Sequence, residues 1–379
     1  MPRYADDRLL DDPDALALAD PGDLLRATAD AGAQVRRALA ATTPETLTAV
    51  AVDGRPRSVV VVGMGTAGLV GGALAAVCGT GCPVPVIALR SHTLPGWVGP
   101  LDLVVAVSVT GRTGETLAVA AEAAKRGSRL VAVTSSGSPL EAVALAAHGG
   151  VAVAVDPRGV PSRAAFWLLL VPVLLVADAL GLADVARTEL ERAADLLDER
   201  AVESGPATPL ADNVAKLLGA SLSDSAPVVW GTGAIGAVAS YRLAGQLAEN
   251  AKLAVTHGIL PEVAHGEATV LDGARAGDDD IFRDPFEDGA GPARMRVVLV
   301  RDSVEHPQDA HSADLLRDAA DRRDVPVDVV RALDGHPVVR LASLLGVLDW
   351  AGVYAAVAVG VDPSARAGDL AEIADGGRP

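Results

Sequence analysis

The chain has 379 residues, a formal net charge of −17, and a composition that is 50% hydrophobic but only 3% aromatic. That length exceeds one average domain and points to two. The negative charge repels polyanions and argues against nucleic acid or an anionic membrane as the main partner, while a core of Ala, Val and Leu suits parallel strands covered by helices.

The opening residues, MPRYADDRLLDDPD, are acidic and polar and form no basic-then-apolar leader, so a cytoplasmic protein is expected. Short β-rich runs then alternate with Ala/Leu-rich helical segments: strands at 58–62, 84–89, 103–109, 130–134 and 151–155, helices at 114–126 and 139–147. Alternation of this kind means βαβ units and a parallel sheet. Residues 164–177, AAFWLLLVPVLLVA, are uninterrupted apolar sequence. The run is shorter than the ~20 residues a bilayer requires, and it carries Pro172 and stops at Asp178, so a buried or dimer-facing helix is expected. An acidic, Arg-rich helix over 184–202 and the Gly/Pro-punctuated ESGPATPL follow, and they divide the chain into domains 1–205 and 206–379.

The second half begins again with a strand, 227–230, running into GTGAIG and a helix, just as 59–62 runs into GMGTAG. Two copies of strand, glycine turn and helix imply an internal duplication. Later strands are expected at 296–300 and 325–330, with a closing helix at 338–359. Residues 272–292, rich in Asp, Gly and Pro, read as a mobile surface loop. The fold class is therefore α/β, with two doubly wound parallel-sheet subdomains of flavodoxin- or Rossmann-like type.

Both glycine turns match G-x-G-x-x-G, at Gly63, Gly65, Gly68 and at Gly231, Gly233, Gly236, which raises a dinucleotide as a rival ligand. A nicotinamide-binding fold places an acid at the end of its second strand, whereas this chain has Leu89-Arg90-Ser91, so only an NADP-type reading through Arg90 stays open. Cys78 and Cys82, in CGTGC, lack further partners for zinc and read as structural thiols. The seven histidines are scattered, so no metal is expected.

The segment SVTGRTGET, running from Ser108 into the start of a helix, is richer in meaning. A phosphate dianion needs several donors at once, and Ser or Thr hydroxyls with the free N–H groups of a first helical turn supply them without bulk. Ser108, Thr110, Thr113 and Thr116 bring hydroxyls, Gly111 a tight turn, and Arg112 a charged donor.

This segment resembles the phosphosugar loop of the sugar isomerase domain family, S-x-S-G-x-T-x-E-T, with Ser108, Thr110, Gly111, Thr113, Glu115 and Thr116 at the matching places. The likeness continues in order. GMGTAG, with Gly65 and Thr66, is similar to that family's first-strand loop, and Pro161-Ser162-Arg163-Ala164-Ala165 to the segment opening its dimer helix. Glu249-Asn250-Ala251-Lys252 and Leu260-Pro261-Glu262-Val263-Ala264-His265 resemble motifs of bifunctional phosphoglucose/phosphomannose isomerases.

The resemblance implies two subdomains of that family's fold, a phosphorylated sugar as ligand, no cofactor and a homodimer. It assigns the proton shuttle between C1 and C2 of a cis-enediolate to Glu249, ring opening to His265 and stabilisation of the developing charge to Arg163. The family's first-loop Ser is Ala67 here, the two Asn flanking its His are Ala264 and Gly266, and no Lys follows Lys252. Those differences keep open an alternative, a phosphosugar-binding regulatory protein that has lost turnover.

Overall fold

Asp12 accepts hydrogen bonds from the N–H groups of Asp14 and Ala15, which starts helix α1 (Pro13–Ala19) at a proline that has no N–H to lose. A second short helix, α2 (Leu24–Ala29), follows after Asp20 caps Leu24 and Leu25. The computed structural model describes residues 7–273, 275–276 and 293–365. They fall into two compact units, one of residues 29–198 and one of 7–28 with 199–365. This differs from a division at 205/206: the first two helices go with the second unit, and the break lies within a helix.

In the first unit, helices α3 (Ala31–Ala41) and α4 (Pro44–Ala51) precede a parallel sheet. Its strands are β1 (Val59–Val62), β2 (Val86–Leu89), β3 (Leu103–Ser108), β4 (Arg129–Thr134) and β5 (Val151–Ala154), in the order β2-β1-β3-β4-β5. The strand order reverses between β1 and β3, a topological switch point, and ligands of such sheets bind there, beyond the carboxyl ends of the strands. Helices α5 (Gly65–Cys78), α6 (Gly114–Lys125) and α7 (Pro139–Ala146) join the strands. Val60, Val104 and Ala132 pack with Val119 and Ala123 of α6 and Leu140 of α7 in one core cluster.

Helix α8 (Phe166–Ala179) packs against α3, α4 and α5, and every residue from Phe166 to Ala177 is buried. Of the two expectations for this helix, buried or dimer-facing, the structure shows the first, because its apolar surface is covered within the same unit. Helix α9 (Arg187–Glu203) is tied to α3 by Arg36, whose guanidinium meets Asp195 at 2.7 Å and Asp198 at 2.6 Å. At the amino end of β3, the buried carboxylate of Asp102 accepts from Arg57 Nε (2.9 Å), Ser58 Oγ (2.8 Å) and Gly99 N–H (2.9 Å).

The second unit repeats the plan. After α10 (Val214–Ser223), the segments β6 (Ala226–Thr232), α11 (Gly233–Glu249), β7 (Thr256–Ile259), β8 (Met295–Arg301), α12 (Pro307–Asp321), β9 (Val327–Arg331) and α13 (Pro337–Ala358) build a parallel sheet ordered β7-β6-β8-β9. That order matches β2-β1-β3-β4, so the duplication expected from the two glycine turns is a duplication of topology. Helix α13 has the length and apolarity of a membrane span, but 94% of its most apolar window is buried inside the chain and it packs on α10 and α11.

Residues 7–28 are fastened to this unit by charge. Lys216, fully buried on α10, donates from Nζ to Asp11 (2.9 Å) and to the Pro206 carbonyl (2.9 Å), and Asp11 also accepts from the Leu210 N–H. The loop expected over 272–292 falls mostly outside the described residues.

Candidate active site

The hydroxyl-rich segment begins as β3 ends. Ser108 is buried, and its Oγ accepts from the Gly111 N–H (3.1 Å) and shares a hydrogen bond with Thr113 Oγ1 (3.0 Å). Thr113 stands at the N-cap of α6 without capping it through its side chain. The usual cap interaction is thereby given up, and the helix presents its first-turn N–H groups without that internal acceptor. A helix end of this kind favours an anion. Arg112 and Thr110 are exposed, and Thr110 Oγ1 accepts from the Arg112 N–H at 3.3 Å.

Gly111 makes the turn possible. Its φ is +61°, and a Cβ there would lie 2.5 Å or less from the hydroxyls of Ser138 and Thr134. Those two residues, which the sequence reading passed over, share a 3.0 Å hydrogen bond beneath the loop, and Ser135 Oγ donates to the Val109 carbonyl at 2.7 Å. The signal was there in the run Thr134-Ser135-Ser136-Gly137-Ser138, a second cluster of hydroxyls one strand further on. Thr116 lies deeper than the other hydroxyls of the segment. It is fully enclosed on α6 and its Oγ1 has no hydrogen-bond partner among the described residues.

The first glycine loop opens α5 in the same unit. Gly65 has φ +53° with nothing within 4 Å of a notional Cβ, leaving open space in front of the helix end. Thr66 Oγ1 donates to the carbonyl of Arg163 at 3.1 Å, which brings the loop and the half-buried Arg163, on a 3-10 turn (Ser162–Ala164), together. Arg90 donates from Nε to the Gly68 carbonyl at 3.2 Å. It braces the glycine turn, which weakens its candidacy as a holder of a 2′-phosphate.

Glu249 and His265 belong to the second unit. Glu249 is the last residue of α11, half-buried, and its carbonyl accepts from Lys252 Nζ. His265 ends a 3-10 turn, Glu262–His265, and is exposed between Ala264 and Gly266. Cys78 and Cys82 are free thiols, and burial pushes Cys78 up to about 12, where it stays protonated and inert at neutral pH. Among the described residues, no three His, Cys, Asp or Glu side chains gather as a metal-binding group.

Residues 211–367 match the model of the bacterial phospho-glucose isomerase C-terminal SIS domain. A bifunctional phosphoglucose/phosphomannose isomerase of Caldicellulosiruptor bescii is 26% identical over 306 residues, covering 81% of this chain and 85% of that protein. Its counterpart in Aquifex aeolicus is 26% identical over 279 residues, covering 74% and 77%. Among solved structures, tagatose-6-phosphate ketose/aldose isomerase from Escherichia coli superposes with a TM-score of 0.65 at 15% identity, over 88% of this chain and 90% of that one, a likeness of fold.

Proposed function

The chain belongs to the sugar isomerase (SIS) domain family, and we propose that it is a phosphosugar isomerase interconverting glucose 6-phosphate or mannose 6-phosphate with fructose 6-phosphate. The observation that carries this reading is the turn after β3, where Ser108 draws the Thr113 hydroxyl away from the helix end and leaves an anion-binding first turn beside Arg112. Phosphate is assigned to Ser108, Thr110, Gly111, Arg112 and Thr113, with Gly65 and Thr66 facing the sugar. Glucose and mannose 6-phosphates differ only at C2 and lose that difference in the enediolate, so one site can serve both.

The chemistry then needs a base that takes the C2 proton and returns it at C1, and a proton shuttle that opens the ring. Glu249 fits the first task and His265 the second, while Arg163 offsets the charge that develops on the enediolate oxygens. The test is an isomerase assay on both hexose 6-phosphates. Turnover by the wild type that falls about 100-fold or more in Glu249→Gln is expected, and absence of turnover on any hexose phosphate would overturn the reading.

A homodimer is part of the proposal. It is supported by the exposed imidazole of His265, a side chain suited to serving a partner's pocket. Mass measurement across a dilution series checks it, and a monomer at every concentration excludes it. A sugar phosphate is a dianion that does not cross a bilayer unaided, which supports a cytoplasmic location. Cell fractionation tests that.

A further inference from the structure

The duplicated sheets allow the second unit to be laid over the first residue by residue. Val62 pairs with Ala106 across β1 and β3, and Trp230 pairs with Leu299 across β6 and β8. With Gly63 set against Gly231, residues 108–113 fall on 301–306 without a gap, and both stretches end on the N-cap of the next helix, Thr113 and His306. The helix-opening glycines match as well: Gly65 and Gly233 both have positive φ, +53° and +64°.

What stands in front of those glycines is different. A Cβ on Gly65 would meet nothing within 4 Å, whereas one on Gly233 would lie 2.7 Å from Asp302 Cβ and 2.9 Å from the Val304 carbonyl. The Asp302 side chain, in a residue only 1% exposed, reaches into the first turn of α11 and accepts from the Ile235 N–H at 3.2 Å. Its other oxygen lies 2.9 Å from Arg340 Nε of α13. A carboxylate held by a helix N-terminus and an arginine is the arrangement an oxyanion ligand would adopt there.

The rest of the loop follows suit. Arg301 stands where the first unit has Ser108, and it is neutralised by Glu305 (2.7 Å) and Asp314 (2.7 Å). Glu305 also takes the Thr232 hydroxyl, and Val304 replaces Gly111, so the left-handed turn that cradles the hydroxyls is not available. We propose that Asp302 is a built-in anion, a carboxylate that permanently fills the space before α11, the second unit's counterpart of the sugar-facing opening at Gly65, and so restricts the chain to one phosphosugar. That Asp302 fills this space rests on the second unit's own geometry and is what the experiment below reads, whereas the restriction to one phosphosugar rests on the proposed function.

The experiment is chemical rescue of Asp302→Ala, read by thermal unfolding in sodium formate and in sodium chloride at equal ionic strength. The variant is expected to melt about 5 °C or more below wild type, because Arg340 loses its buried partner. Formate should restore a large part of that gap while chloride should not, and formate should leave the wild type unchanged. Asp302→Asn, which keeps the side chain's size and fills the space, should show no formate effect.

Equal effects of formate and chloride on Asp302→Ala, or an equal formate gain in Asp302→Asn, would overturn the proposal. If Asp302→Ala does not fold in plain buffer, recovery of folded protein on refolding in formate but not in chloride supports the proposal, and no recovery in either overturns it.

Discussion

Two glycines with similar backbones make different demands on the site. Gly65 and Gly111 both sit in the left-handed region, but only Gly111 has neighbours that a methyl group would strike. Gly65→Ala is therefore expected to cost only the backbone term, about 1–2 kcal/mol. Gly111→Ala adds a collision with Ser138 and Thr134 and should also weaken phosphosugar binding by about tenfold or more. Thermal unfolding with and without glucose 6-phosphate separates the two.

Asp102 offers a pH test at the same scale. Burial alone would raise its carboxyl, but Arg57, the Gly99 N–H and Ser58 outweigh burial and hold it below the usual range. A carboxyl depressed by folding contributes stability above its unfolded value of about 4, and that contribution is lost as pH falls below it. The stability difference between wild type and Asp102→Asn should accordingly be full at pH 7 and narrow in acid, as urea titrations at several pH values would show.

At the scale of elements, most strands and helices could be read from sequence because their signals are local. The valine run of β1 and the apolar run of α8 are examples: each element lies where its composition puts it. What covers them could not be read so. Helix α8 is apolar nearly all round, so no polar stripe tells which neighbours it meets, and it is α3, α4 and α5 that cover it.

Thr134 and Ser138 were missed for a related reason. Their place beneath Gly111 arises from the pairing of β3 with β4 and not from any local pattern. Strand β6 runs on to Thr232 because Gly231 and Thr232 stay in the ladder with Val300 and Arg301, although glycine reads as a turn. With Leu170 fully buried on α8, Leu170→Ala should cost about 2–5 kcal/mol, measurable by denaturant unfolding.

At the scale of the whole chain, the unexpected feature is that residues 7–28 belong to the unit of residues 199–365. No periodicity reveals this, because the link is a buried lysine on α10 meeting an aspartate of the opening segment. Removing residues 1–28 leaves Lys216 without its carboxylate partner, at a cost of about 3–5 kcal/mol. The truncated chain is expected to lose the second unit's unfolding transition at a lower temperature while the unit of residues 29–198 keeps its own, a split that calorimetry can resolve.

The same clasp imposes an order on biosynthesis. Asp11 and Lys216 are 205 positions apart, and at roughly 5–20 residues per second the opening helices leave the ribosome on the order of 10–40 s before their partners exist. Through that interval Leu10, Leu16, Leu24 and Leu25, all interior in the finished protein, face water. The middle unit can meanwhile complete its own sheet. A nascent chain stalled after residue 198 should thus show a protease-resistant body trailing a cleavable leader, and that leader is where a chaperone would find its grip.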